Sequence, residues 1–319
     1  MLCGGRGGCM MVPMTVPDHS PPGGGSVSEN RSDPPTLAQV TAVIERLWPA
    51  SLAESWDAVG PVVGRPDAPV RRILFAVDPV QAVADEAVEL GADLLLTHHP
   101  LLLRGATTVA AGGHSGAAKG AVVHTLIEHG IGLVAAHTNA DSAVGGVSDA
   151  IARRLGVTGV RPLAPSVGGD GDTGIGRVGE LESPVSLRGF AERVAAVVPA
   201  TAGGVRVAGD LDAEVRRVAV CGDAGDGLFD AVRAADADVY VTSDLRHHPA
   251  SEARETALLA DGRPALVDVA HFAGEWLWLA DGAHALREAL EADGFAVDTV
   301  VSAHVTDPWD LLVGGGGRP

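Results

Sequence analysis

The chain has 319 residues, of which 46% are hydrophobic but only 3% aromatic, so its cores are built mainly from Ala, Val and Leu. A net charge of −18, from 41 acidic against 23 basic residues, argues against broad binding to nucleic acid or to an anionic membrane surface. Cys3, Cys9 and Cys221 are too scattered for a disulfide framework or a thiolate zinc site, which points to the reducing cytoplasm, and no apolar stretch approaches the roughly 20 residues of a membrane span.

The first 35 residues are rich in Gly, Pro and Ser and read as a disordered extension without a signal-peptide core. Thr36 is a plausible N-cap for a helix over LAQVTAVIERLWP, followed by the Gly- and Pro-punctuated loop SWDAVGPVVGRPDAPV. Next comes ILFAVDPVQAVADEAVELGADLLLTHHP, which reads as strand, Asp78, helix and the apolar strand Leu94 to Leu96. That strand delivers Thr97, His98 and His99 to its C-terminal end, where open α/β sheets bind ligands. Neighbours on extended backbone point to opposite sides, so two adjacent metals, or one metal and a substrate, suit the His pair better than chelation of a single ion. An acid–base pair and purely structural imidazoles are the alternatives.

A helix then stops near Gly130, a strand over IGLVAA follows, and the turn HTNADSAVGG carries His137 and Asp141. The next helix ends at Gly156, a good C′ residue. Residues 157–215 give little signal beyond a strand over GIGRVGEL and a helix over SLRGFAERVAAVV with Ser186 as a possible cap, and are assigned to scaffold. VAVCGDAGDGLFDAVRAADADVYVTSDLRHHP then repeats the first unit: strand, Asp223, helix, Ala-Asp, apolar strand, Thr, and a His-His-Pro ending with Asp244, His247 and His248. Finally the strand ALVDV leads to a helix whose His271 and Glu275 share one face. The closing GGGGRP reads as a flexible tail.

Each ligand candidate also has an ordinary explanation. His137 could cap a helix and Asp141 hydrogen-bond turn amides. His271 and Glu275 could be a surface pair, and His247 and His248 solvated loop residues. What favours function is one placement repeated: imidazole and carboxylate just beyond predicted strand ends. Imidazoles with carboxylates and no thiolate suit Zn, Fe or Mn. Six such candidates exceed what one zinc usually takes, which favours two divalent ions and metal-bound hydroxide as the agent of hydrolysis.

The ordered segments LAESWDAVGPVVG, VDP, ADLLLTHHPLL, HTNAD, TSDLRHHPASEA and VDVAHFAGE, from Leu52 to Glu275, resemble the dinuclear-metal, hexamer-forming family of type 2 homologues of GTP cyclohydrolase I. The resemblance implies two intertwined, related α/β domains with mainly parallel or mixed sheets flanked by helices, and a toroidal hexamer with metal pairs facing an internal cavity. It implies His98, His99, His137, Asp141, His271 and Glu275 as ligands, Asp141 as the natural bridge, and Asp244, His247 and His248 lining the pocket. Ala58 and Pro61 stand where the family often has Asn and Leu, and no long inserted domain separates the halves. The expected organisation is a metal-binding domain over 36–155 plus 256–312, a second domain over 156–255, and a flexible tail over 313–319.

The expected function is a metal-dependent hydrolase acting on a nucleotide-like or phosphorylated substrate, with His248 or His247 as acid–base or phosphate contact. The alternative is a non-enzymatic, oligomeric metal-binding or interaction protein. A plain nucleotide-binding module is weaker, because no phosphate-cradling Gly-rich loop follows a predicted strand.

Overall fold

The computed structural model describes residues 33–113, 116–167 and 171–314. The expected N-terminal extension falls almost wholly outside the described residues, and so does most of the expected tail. No helix among the described residues is long and apolar enough to cross a membrane.

Thr36 starts helix α1 (Leu37–Leu47): its hydroxyl accepts the Gln39 amide, and the Gln39 side chain accepts the Thr36 amide. The first sheet contains β1 (Gly60–Val63), β2 (Arg72–Ala76), β3 (Leu94–Thr97), β4 (Gly132–Ala135) and β11 (Asp298–Val301). Its order is β1-β4-β3-β2-β11, parallel except for β1. The second sheet contains β5 (Val157–Pro165), β6 (Gly174–Ser186), β7 (Arg206–Ala208), β8 (Glu214–Ala224), β9 (Val239–Ser243) and β10 (Ala265–Val269). Its order is β5-β6-β8-β9-β10-β7, with β8, β9 and β10 parallel and the others antiparallel. Mixed sheets flanked by helices are thus the architecture.

Strand periodicity explains the layering. Ile73, Phe75, Leu94 and Leu96 of the first sheet and Val218, Val220, Val239, Val241 and Val267 of the second all belong to one buried cluster. The alternating residues turn away from it: Leu74, Leu95 and Leu133 meet α2 (Gln81–Glu89) and α3 (Ala117–Glu128), whereas Ala219, Tyr240 and Leu266 meet α7 (Phe229–Ala234) and α8 (His247–Leu258). The shared core is filled by α1, α5 (Val147–Arg154), α6 (Leu187–Val197) and the long α9 (His271–Ala292). Trp278 of α9 packs edge-on against Trp48 with ring centroids 5.1 Å apart. The expected stops appear at Gly130 and Gly156, with φ of +69° and +75°, where a side chain would be strained. Ser186 caps α6 through the Gly189 amide at 3.2 Å.

The two βαβ units share a register. Ile73 pairs with Leu94 and Val218 with Val239, and each unit places an Asp just before its second strand. The Asp93 carboxylate accepts the Arg71 and Arg72 amides at 2.7 and 3.1 Å; that of Asp238 accepts Arg216 and Arg217 at 2.8 and 2.7 Å. This register corrects one detail of the sequence comparison. Thr97 corresponds to Thr242, so His98 and His99 correspond to Ser243 and Asp244, and the second His pair lies farther on, opening α8.

One buried cation ties the second sheet to the core. The Arg177 guanidinium on β6 is 2% exposed and has five N–H donors to satisfy. It donates to both Asp149 carboxylate oxygens at 2.8 and 2.9 Å, and to the carbonyls of Gly174, Gly176 and Ala143 at 2.6, 2.8 and 2.9 Å. Arg177→Ala strands a partly buried carboxylate and three carbonyls together. It should lower the unfolding free energy by about 3–5 kcal/mol, the range for breaking a buried ion pair, as read from urea denaturation midpoints. A loss below about 1 kcal/mol would contradict this account.

Candidate metal centre

The C-terminal ends of parallel strands from both sheets meet at one place. His98 and His99 follow β3, His137 follows β4 and precedes the single-turn helix α4 (Thr138–Ser142), and Asp141 sits on α4. The second sheet sends Asp223 from the end of β8, Asp244 from just beyond β9, and His271 and Glu275 from the first turn of α9 beyond β10. The single turn of α4 fixes the spacing of His137 and Asp141, with the Asp141 amide donating to the His137 carbonyl at 3.0 Å. Gly274 lets α9 approach β8: a Cβ there would lie 3.0 Å from the Gly222 carbonyl oxygen and 3.3 Å from Ser243 Oγ.

The adjacent imidazoles His98 and His99 do not diverge as extended backbone would make them. The strand ends at Thr97, whose hydroxyl donates to the His99 carbonyl at 2.8 Å, and beyond it both rings enter one cluster with centroids 5.3 Å apart.

Each of the four histidines is anchored through Nδ1. His98 Nδ1 meets the Ala136 carbonyl at 2.9 Å, His99 Nδ1 meets Asp78 at 2.7 Å, His137 Nδ1 meets Asp57 at 2.8 Å and His271 Nδ1 meets Asp244 at 3.0 Å. Carbonyls and carboxylates only accept, so each Nδ1 carries a proton, and once the ring is neutral its Nε2 offers a lone pair. Those Nε2 atoms converge. His99 Nε2 lies 3.2 Å from His271 Nε2, and Glu275 Oε1 lies 2.7 Å from His271 Nε2, 3.2 Å from His99 Nε2 and 3.3 Å from His98 Nε2. Asp141 Oδ1 stands 3.7 Å from His98 Nε2, and Asp223 Oδ1 stands 3.7 Å from His271 Nε2.

Two ligand atoms on one tetrahedral ion at about 2.0–2.1 Å lie roughly 3.3 Å apart, so these separations suit a shared cation. Among the described residues, buried His98 Nε2, Asp141 Oδ2 and Glu275 Oε2 make no well-aligned hydrogen bond, although Glu275 Oε2 lies 3.0 Å from His99 Nε2; such atoms are costly unless something else occupies their lone pairs. The donor set fits a metal. Ligand atoms of His98, His99 and His137, of His99, His271 and Glu275, and of His98, Asp223 and Glu275 form compact groups in which all lie within 4.8 Å of one another. Glu275, fully buried and touching three imidazoles, is the most shared carboxylate, a position that the sequence comparison gives to Asp141.

The electrostatics are those of a cation site holding protons. Burial depresses His99, but Glu275 and Asp78 outweigh it and carry the imidazole up to about 10. Burial likewise opposes, and Glu275 and Asp244 overcome, the rise of His271 to about 12. Glu275 goes the other way: burial raises it, but His99, His271 and His98 hold it well below its ordinary range. Asp141 is pushed well above its ordinary range by burial, then by Asp223 and Glu275.

Sequence reasoning missed Asp57 and the anchoring role of Asp78; it placed Asp223 only at a strand end and Asp244 only in the pocket lining, without their partners. Asp57 anchors His137 and accepts the Thr138 and Ala58 amides at 3.0 and 2.6 Å, so the loop does its work beside Ala58 with its own carboxylate. Asp223 faces the cluster, and Asp244 holds His271 from a left-handed backbone with φ of +53°. For Asp244 the Leu245 amide is the fixing point, donating to buried Asp268 at 2.9 Å. His247 and His248 are not brought to the cluster. They are exposed at the start of α8, ring against ring at 5.3 Å, and do not line the cavity over the site. That cavity has a volume of about 1180 Å³ and is bordered by His99, His137, His271, Asp223, Trp56 and Trp309.

The family described as Duf34/NIF3 (NGG1p interacting factor 3) matches over residues 35–308. A Streptomyces coelicolor protein named GTP cyclohydrolase 1 type 2 homolog is 56% identical over 280 residues, spanning 88% of this chain and 95% of that protein. A Clostridium perfringens protein of the same name is 31% identical over 277 residues, spanning 86% and 99%. The crystal structure of a Bacillus cereus protein related to NIF3 superposes with a TM-score of 0.78 at 25% identity, covering 88% of this chain and all of that one.

Ligation requires neutral imidazoles, so a metal must displace the protons that His99 and His271 hold at neutral pH. The raised imidazoles stabilise the metal-free fold below their unfolded values near 6.5, and that stabilisation is lost only as pH rises toward 10 and 12. Lowered Glu275 stabilises above 4.5, and this is lost as pH falls through its depressed value. Loading Zn²⁺ at pH 7 should therefore release at least about two protons per chain, from His99 and His271 with any held by the raised Asp141 adding to them, measured by calorimetry in buffers of different ionisation enthalpy. Release of none would show that these imidazoles are already neutral.

Proposed function

This chain belongs to the Duf34/NIF3 family, and from that premise we propose that it is a metal-dependent hydrolase holding two divalent ions, Zn, Fe or Mn, among His98, His99, His137, Asp141, His271 and Glu275. The observation that carries this reading is the set of four imidazoles, each tied at Nδ1 to an acceptor, with Nε2 atoms gathered around Glu275 and Asp141. Bound there, such ions supply Lewis acidity and a water made acidic near neutral pH. The chain's residues do the rest. Asp57, Asp78 and Asp244 hold protons at the Nδ1 atoms of His137, His99 and His271, which fixes each ring's tautomer and direction. Glu275, His98 and Asp141 lie at the buried end, while His99 and His271 are about a quarter exposed toward the cavity.

The substrate is proposed to be nucleotide-like or phosphorylated. Support comes from the cavity's size, above the range of ordinary small-molecule sites, and from Trp56, which stands edge-on to His137 at 5.8 Å and lines the same space. His247 and His248 lie apart from this cavity within the chain, so they are left out of the acid–base assignment.

A second reading is a non-enzymatic, oligomeric metal-binding or interaction protein, with the family's hexamer as the assembly. Its support is the exposed apolar run near the end of the described chain: Trp309, Leu311, Leu312 and Val313 are all more than half exposed.

Asp141→Ala separates the two readings. Under the hydrolase reading, metal-loaded protein turns over at least one member of a nucleotide and phosphoester panel. The variant folds, retains fewer ions by elemental analysis and loses at least about a hundredfold in rate. Turnover that persists in metal-free protein would overturn the mechanism. Inactivity of the fully loaded protein across the panel, with stable capture of a partner, would favour the second reading.

A further inference from the structure

Asp223 is outside the six-residue set, and the register explains how it comes to face the cluster. Matching the β2–β3 and β8–β9 pairings makes Asp78 and Asp223 counterparts. Their employment differs. Asp78 stands behind the cluster, with one oxygen on His99 Nδ1 and the other on the Thr306 hydroxyl. In the second unit the corresponding anchoring is done by Asp244, which holds His271 Nδ1 at 3.0 Å. Asp223 is thereby free of that task. β8 also departs from regular pairing between Val220 and Ala224, around Asp223.

The carboxylate is delivered among the ligand atoms. Asp223 Oδ1 lies 3.7 Å from His271 Nε2, the same separation that His98 Nε2 keeps from Asp141. One Asp223 oxygen lies within 4.8 Å of ligand atoms of both His98 and Glu275. The Asp223 and Glu275 oxygens repel at this separation unless a cation or proton lies between them. The Asp223 side chain is 22% exposed and borders the cavity, whereas Glu275 is fully buried.

We infer that Asp223 is a seventh protein ligand, closing the metal cluster on its cavity side. This rests on the proposal that the cluster holds metal, and it goes further by giving one duplicated half an extra anionic donor. Three carboxylates against four neutral imidazoles leave a charge of −3, closer to balancing two divalent ions than the −2 of the six-residue set. Asp223 also sits where an entering substrate group must either share the ion with it or replace it.

The test uses the full chain with Co²⁺ as probe, comparing Asp223→Asn, Asp223→Ala and the parent. Co²⁺ affinity is measured against a chromophoric chelator, and the visible ligand-field spectrum reports coordination. Thermal unfolding of the metal-free forms checks the fold, and a partly exposed side chain should alter it little. The expected result is a loss of at least about tenfold in affinity for one ion, with an altered spectrum, in both variants. Parent protein that binds no Co²⁺ would defeat the metal reading itself. A parent that binds, with variants matching it in affinity and spectrum, would defeat only the assignment of Asp223. Weakened affinity with an unchanged spectrum would make Asp223 a distant electrostatic influence and would also overturn it.

Discussion

Everything distinctive here depends on four imidazoles whose Nδ1 atoms are each held by an acceptor. A free histidine has two nitrogens that compete for one proton, and either can face a ligand. In this fold an acceptor stands behind each Nδ1: a strand-end carbonyl for His98 and carboxylates for the other three. The acceptors come from four different chain segments, so the proton pattern is a property of tertiary structure. With Nδ1 committed, the Nε2 atoms face one another and Glu275, and once neutral they turn their lone pairs into that shared space. That is a destabilising arrangement unless positive charge is placed among them.

The fold makes this convergence possible by stacking two sheets through one core so that their C-terminal edges meet. Every ligand candidate is attached within a few residues of a strand end or near the start of a helix, and the parallel strands β3, β4, β9 and β10 are buried along their whole length. α9 has a double role. Its Trp278 and Leu286 fill the shared core, while its first turn carries His271 and Glu275. Packing that stabilises the joined sheets therefore also sets the position of the most shared carboxylate.

Much of this was legible from residues alone. The apolar run before Thr97-His98-His99, the His137–Asp141 spacing and the His271–Glu275 spacing each signal a strand-end or helix-face placement, and the structure brings all six side chains together. The illegible parts were of two kinds. Anchoring by Asp57, Asp78 and Asp244 depends on contacts across 80, 21 and 27 residues, and an isolated Asp in a loop looks like any solvated charge. The second kind was a matter of register. The two His-His-Pro endings look equivalent in sequence, but pairing of β9 ends at Ser243, and the left-handed turn at Asp244 carries His247 and His248 away to α8. The turn depends on the Leu245 amide being held by Asp268, far along the chain.

Charge decides what the cavity can welcome. Among the described residues that border it there is no Lys or Arg, while Glu54, Asp78, Asp223, Asp244 and Asp307 all appear. Arg206 and Arg246 line an adjoining hollow, but Asp268 and Asp226 already engage them. In a chain of net charge −18, an anionic group entering this space finds its favourable partner only at the imidazole cluster and whatever cations it holds. A polyphosphate would leave most of its charge facing carboxylates, whereas one anionic or polar group on a planar body would set that group at the cluster and leave the rest against Trp56 and Trp309. The acidic wall therefore selects for where charge sits on a ligand as well as for how much of it there is.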